Sequence, residues 1–241
     1  MAEQIITNKD RLHFYNENEY NYNWDKPLVK HSAFFYKAWY PVAKAVVKFK
    51  FDIEFYGAEN VPKEGGLLLA ANHVAGLDPI AITYCLQNKG HMRTMRFMAK
   101  EEFFHVFYVR IPLMYFGGFP VKRGTSDRKS LEYSKKIVDN GQILLVFPQG
   151  TRDKERKRPG EAKGGIALLA RETKSDVVPV SIYRSPEGEG RKKDKYVIRF
   201  GEVIPYEELG LGDKPKSKEL RSATQLIMDK IGELWDKDGA K

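Results

Sequence analysis

Short apolar runs alternate with helical periods along most of the 241-residue chain. The runs F-D-I-E-F-Y, L-L-L-A-A, M-R-F-M-A, Q-I-L-L-V-F, D-V-V-P-V-S-I and Y-V-I-R-F have the length and composition of strands. Between several of them the period lengthens, predicting helices over about 79–88, 101–114, 127–139, 162–173 and 216–236. In the last of these, Leu220, Ala223, Ile227, Ile231 and Leu234 recur at steps of three and four, the stripe of a helix facing a core. The alternation predicts an α/β fold: a single domain whose mixed, largely parallel sheet is flanked by helices. No internal repeat and no long low-complexity linker interrupts it.

The first 50 residues behave differently. Residues 1–26 are polar, rich in Asn and Tyr and aperiodic, and read as a loosely structured lead-in. From Pro27 to Lys50, Lys30, Lys37, Lys44 and Lys48 fall on one narrow helical stripe. Phe34, Phe35, Tyr36, Trp39, Tyr40, Val42, Val46 and Val47 make up much of the remaining surface. Such a helix suits the lipid headgroup boundary, and it equally suits a helix packed on its own domain. Pro41 is expected to break or kink it. The expected division is residues 1–50 as a lead-in and amphipathic helical membrane-binding segment, and 51–241 as the α/β domain.

Composition narrows the partners. A hydrophobic content of 42% supports a sizeable core, and a net charge of +9 favours a partner of opposite sign: nucleic acid, an anionic membrane or a phosphorylated substrate. The single cysteine, Cys85, excludes an internal disulfide and a thiolate zinc cluster and fits a reducing compartment. The N-terminus lacks the basic start and apolar core of a secretory signal. No run of eighteen apolar residues is free of charge, so neither a leader nor a simple transmembrane helix is expected.

Candidate chemistry clusters near the ends of the expected strands, where open α/β sheets place their sites. After the run L-L-L-A-A comes N-H-V-A-G-L-D-P. In one regular helix His73 and Asp78 would point about 140° apart. Gly76 suggests a loop instead, and Asp78 reads as an N-cap with Pro79 at N1, a geometry in which the pair can meet. A carboxylate on one imidazole nitrogen fixes the tautomer and leaves the other nitrogen to take a proton from a hydroxyl. A capping or buried structural role is the competing reading of such a pair. Further along, G-G-F-P-V-K-R ends in Lys122 and Arg123, and L-V-F-P-Q-G-T-R leads through Pro148, Gly150 and Thr151 to Arg152. Lys100 follows M-R-F-M-A. Glycine permits close backbone approach and arginine offers a fork of donors matched to phosphate, so these cations point to a convergent anion site. Pro179 in D-V-V-P-V-S-I marks an edge strand or a bulge.

In this order the four stretches resemble the glycerolipid acyltransferase family, in particular the bacterial 1-acylglycerol-3-phosphate acyltransferases, over roughly residues 50–205. The family's histidine, four residues, aspartate motif is N-H-V-A-G-L-D-P; its arginine motif is G-G-F-P-V-K-R; its third, usually F-P-E-G-T-R, is F-P-Q-G-T-R; and its fourth is V-V-P-V-S. The resemblance implies that His73 is the general base and Asp78 orients it. It implies that Lys100, Arg123, Gly150, Thr151 and Arg152 hold the acceptor's phosphate and that Gln149 helps position the acceptor. It further implies a fatty acyl-CoA or acyl carrier protein thioester as co-substrate, with no metal and no other cofactor, and a lysophospholipid acceptor. An anionic membrane surface would be met on the cytoplasmic face through Phe34, Phe35, Lys37, Trp39, Tyr40 and Lys44, with no nucleic acid partner. Gln149 replaces the usual glutamate, which removes a charge while keeping hydrogen-bonding capacity and bears on acceptor identity. Three competing readings are a catalytically silent membrane-surface module, a hydrolase in which His73 activates water, and a nucleic-acid binder that carries no recognised motif.

Overall fold

The structure, a computed structural model, describes residues 22–24, 33–122, 127–153, 155, 157–162, 164–185, 194–212 and 214–239. Among the described residues seven strands form one sheet: β1 (Phe51–Tyr56), β2 (Leu67–Ala71), β3 (Met95–Lys100), β4 (Gly118–Val121), β5 (Ile143–Val146), β6 (Val177–Arg184) and β7 (Asp194–Phe200). Their order is β1-β7-β6-β2-β5-β3-β4. Every neighbouring pair is parallel except β6 with β7. The helices are α1 (Ala33–Lys50), α2 (Asp78–Asn88), α3 (Phe107–Tyr115), α4 (Arg128–Asp139), α5 (Gly165–Thr173) and α6 (Ser217–Gly239). The expected mixed, largely parallel α/β sheet is the one found.

The central strands are apolar along their whole length because both faces are covered, as parallel crossovers require. Alternation along β2 separates two cores. Leu67, Leu69 and Ala71 pack with Val47 of α1, with Ile82 and Leu86 of α2, and with the half-buried Leu113 and Phe116 at the end of α3. Leu68 and Ala70 pack with Ile137 of α4, Ile166 and Leu169 of α5, and Ile227 and Ile231 of α6. Helices α1–α3 therefore cover one face and α4–α6 the other.

Several expectations change. The helix expected over 101–114 is divided into a 3-10 turn, Glu101–His105, and α3. G-F-P-V is a strand of its own, β4, entered through Gly117, whose φ of 90° is accompanied by an approach in which a Cβ would lie 2.5 Å from the Met95 carbonyl oxygen. Pro41 does not end α1; it lies on an exposed side, where the carbonyl it leaves unbonded can be hydrated. Of the two readings of Pro179, the edge strand gives way and the bulge fits: the residue sits in β6, between β7 and β2, where three steps along β6 face four on its partner. It falls where pairing with β7 skips from Val180↔Phe200 to the bridge Val177↔Ile204, so its missing N–H breaks no ladder bond. Within the lead-in, Tyr22 and Trp24 pack edge-on against Tyr133 of α4, with ring centroids 5.8 and 5.4 Å away.

Candidate active site

Strands β2, β5, β3 and β4 lie side by side and parallel, so the loops that leave their carboxyl ends emerge along one edge of the sheet. The β2 loop carries the His-Asp pair. Just before it, the buried Asn72 side chain continues the ladder that the main chain abandons: its Nδ2 donates to the Ile182 carbonyl at 2.8 Å, and its Oδ1 accepts from Ile182 N–H at 2.6 Å. That double bond to β6 fixes the point from which the chain turns, and so fixes His73. The role of Asn72 escaped sequence reasoning, although its place beside the histidine was the available signal.

His73 Nδ1 lies 2.8 Å from Asp78 Oδ2. The same oxygen accepts the backbone N–H groups of Val74 at 2.8 Å and Ala75 at 2.9 Å. A carboxylate can only accept, so Nδ1 carries the proton and Nε2 is the free base. Asp78 is therefore not an N-cap. The residue preceding the helix is Leu77, and the Asp78 side chain folds back into its own loop instead of capping forward. Its carboxyl is fully buried, whereas the His73 side chain is 15% exposed. A ring stack with Phe147, centroids 4.0 Å apart and planes 19° from parallel, sets the imidazole plane. Phe147 is the second residue that sequence reasoning misses, since in L-V-F it is indistinguishable from the end of an apolar strand.

The β5 loop closes over this pair. Residues 147–150 form a turn, with Gly150 N–H donating to the Phe147 carbonyl at 2.9 Å and Gly150 at φ 72°, a backbone that favours glycine. Asp153 N–H donates to the His73 carbonyl at 2.7 Å and so stitches the two loops together. Arg152 reaches back across the join: a Cβ on Gly76 would lie 3.7 Å from its Nη1. Gln149 Oε1 is buried and accepts no hydrogen bond from the described residues. Thr151 is exposed.

The remaining cations lie further along the edge. Lys100, at the end of β3, pairs with Glu102 at 2.8 Å, and Lys122 after β4 lies 3.7 Å from Glu101, so the 3-10 turn supplies both with counter-ions. Arg123 lies outside the described residues, as do the side chains of Phe34, Phe35, Lys37 and Trp39. Of the other residues assigned to lipid contact, Tyr40 stacks on Tyr84 of α2 at 6.0 Å, and the Lys44 ammonium lies 5.7 Å from the Tyr40 ring. Both are half-buried; among the described side chains of α1, the large exposed apolar ones are Val42, Val46 and Phe49.

An imidazole oriented by a buried carboxylate, beside a glycine-bearing turn and cations at the carboxyl edge of a parallel sheet, defines a site that can deprotonate a hydroxyl next to an anion. The model of the Acyltransferase family matches residues 52–183, more than half of the chain, and spans β1 to β6. The chain belongs to the Acyltransferase family. Among similar proteins, a 1-acyl-sn-glycerol-3-phosphate acyltransferase of Bacillus subtilis is 26% identical over 196 residues, covering 80% of this chain and 94% of the relative. Another of that name, from Borreliella burgdorferi, is 27% identical over 54% of this chain and 50% of its own length. The fold is shared with a lysophosphatidic acid acyltransferase, PlsC, of Thermotoga maritima, solved by crystallography: the TM-score is 0.61 at 22% identity, covering 86% of this chain and 82% of that one.

Proposed function

We propose that this enzyme transfers a fatty acyl group from an acyl-CoA or acyl carrier protein thioester to the free hydroxyl of 1-acylglycerol-3-phosphate, giving phosphatidic acid for phospholipid synthesis. The observation that carries the reading is His73 Nδ1 held 2.8 Å from a fully buried Asp78 carboxylate, which leaves Nε2 as the base. Its chemistry is balanced without a further cofactor. Nε2 takes the hydroxyl proton as the oxygen attacks the thioester carbonyl; the tetrahedral intermediate collapses, the C–S bond breaks, and the leaving sulfur takes that proton from Nε2. Asp78 stabilises the imidazolium between these steps. The names of the relatives from Bacillus subtilis and Borreliella burgdorferi support the acceptor class.

In this reading Arg152, Lys100 and Arg123 bind the phosphate, with the Gly150 and Thr151 backbone beside them. Lys100 must exchange its Glu102 contact for a substrate oxygen. Gln149 Oε1, a buried acceptor that the described residues leave unbonded, takes a hydrogen bond from the acceptor; an unsatisfied group of this kind costs about 1–3 kcal/mol. Gln149→Glu restores a carboxylate and is expected to change the preference among lysolipid acceptors while leaving the melting temperature within a few degrees. Unchanged kinetics across an acceptor panel would remove Gln149 from acceptor choice.

The enzyme works at an anionic membrane surface as a peripheral protein, with α1 as a docking element whose outward residues Val42, Val46 and Phe49 meet the lipid. No helix among the described residues is long and apolar enough to cross a membrane. The cytoplasmic face fits the single, buried thiol of Cys85. The test of the reaction is thiol release from each thioester with and without lysophosphatidic acid, in the wild type and in His73→Ala. Release should require the acceptor and should fall in the variant by about 10²–10⁴-fold, the usual contribution of a positioned general base.

A further inference from the structure

Helix α3 presents the wrong side to water. On a helix that turns about 100° per residue, Phe107, Tyr108, Ile111, Met114 and Tyr115 fall within one arc of about 120°, and Pro112 extends it. These six are the exposed residues of the helix, and none is charged. No residue of α3 is fully buried; the opposite side, through the half-buried Leu113, touches the core under the sheet. Tyr108 is 58% exposed and Ile111 51%. A surface helix of a soluble domain carries its polar residues outward, and a contiguous exposed apolar patch of this kind marks a contact surface.

We propose that α3 is a second lipid-contact element, which inserts its aromatic stripe into the headgroup region of an anionic bilayer alongside α1. Three observations select a bilayer as the occupant. The stripe mixes apolar bodies with the hydroxyl tips of Tyr108 and Tyr115, the amphipathic chemistry of the membrane–water boundary. Arg110 stands at its edge, with its guanidinium 5.7 Å from the Phe107 ring centroid, which sets a cation beside the apolar stripe. The net charge of +9 is complementary to an anionic surface. Position adds to this: α3 and α1 both pack against the same face of the sheet, so the exposed stripe of α1 and that of α3 belong to one side of the molecule. A single residue, Val106, separates α3 from the 3-10 turn whose glutamates pair with Lys100 and Lys122, which ties the lipid contact to the cationic end of the site. The inference rests on the reading that the enzyme acts at a membrane.

The experiment measures sedimentation with phosphatidylglycerol–phosphatidylcholine vesicles for the wild type, for Tyr108→Ser with Ile111→Ser, and for Val42→Ser with Phe49→Ser on α1. The α3 pair should weaken vesicle affinity by about tenfold or more, without changing the melting temperature or turnover of a short-chain acceptor dissolved below its micelle concentration. A direct reading of insertion comes from Ile111→Cys carrying an environment-sensitive dye. Cys85 is buried and burial raises its pKa, so the new thiol is the one that reacts. The dye should shift to the blue on adding vesicles and be quenched by brominated lipid. Vesicle binding weakened only by the α1 pair, with an unshifted dye at position 111, would overturn the inference and leave the membrane reading standing. Absence of binding by the wild type would overturn both. A drop in oligomeric mass in the α3 pair without lipid would overturn it in favour of self-association.

Discussion

Helices α3 and α4 make the same kind of crossover, one on each side of the sheet, yet they meet their surroundings in opposite ways. Every exposed residue of α4 is charged (Arg128, Lys129, Glu132, Lys135, Lys136 and Asp139), and Tyr133, Ile137 and Val138 are buried beneath them. Every exposed residue of α3 is apolar or aromatic. The α4 pattern is the ordinary solution for a helix between core and water. The α3 pattern leaves a partly exposed apolar stripe at the surface, the kind of patch that marks a contact surface. The contrast gives the molecule a polarity across its sheet: a charged face on the side of α4, and on the other side, where α1 and α3 flank α2, a more apolar one that the proposal assigns to lipid. The edge that carries His73 and Asp78 lies at the carboxyl ends of the central strands.

That comparison can be broken in stages. His73→Ala should have the largest effect, removing about 10²–10⁴-fold of acceptor-dependent turnover while vesicle binding and melting temperature stay as in the wild type. A parallel loss of binding would mean that the catalytic edge and the lipid face are not separable. Next, Ile137→Ala opens a cavity beneath the charged face, where Ile137 is wholly buried. It should cost about 2–5 kcal/mol in denaturant unfolding and leave the vesicle affinity of the folded protein unchanged. Smaller again are the polar substitutions on the exposed stripes of α1 and α3, each expected to weaken vesicle binding by about tenfold, or about 1.4 kcal/mol. The smallest effect should come from Lys135→Glu on α4. It reverses one end of an exposed pair with Asp139, a contact worth about 0.3–0.5 kcal/mol, and should move vesicle affinity less than either stripe. If it moves affinity more, the charged face is the one that meets the membrane.

Strands β2, β3 and β5 were legible in the sequence because each is a short apolar run, and that pattern does not depend on neighbours. The histidine and aspartate were legible as a pair because glycine and proline between and after them exclude one regular helix. What Asp78 does with its second and third donors was not legible, since the backbone N–H groups of Val74 and Ala75 reach it only through the three-dimensional course of the loop. Strand β4 was missed because four residues, G-F-P-V, are too short to show a period and include a proline. The sidedness of α3 was hidden for a different reason. In F-Y-V-R-I-P-L-M-Y nearly every position is apolar, so no stripe stands out until the core takes Leu113 and leaves Tyr108 and Ile111 outside. Tyr22 and Trp24 illustrate the same limit: in an aperiodic polar segment, only contact with Tyr133 reveals that they are packed.

The most direct test of the central claim is to follow a labelled acyl chain from thioester to product in the presence of vesicles that contain lysophosphatidic acid. The account predicts one labelled lipid, phosphatidic acid, formed in equal amount to the thiol released, and little label moved when the acceptor is omitted or His73 is replaced by alanine. Labelled free fatty acid appearing at the same rate with and without acceptor would contradict it, because His73 would then be activating water.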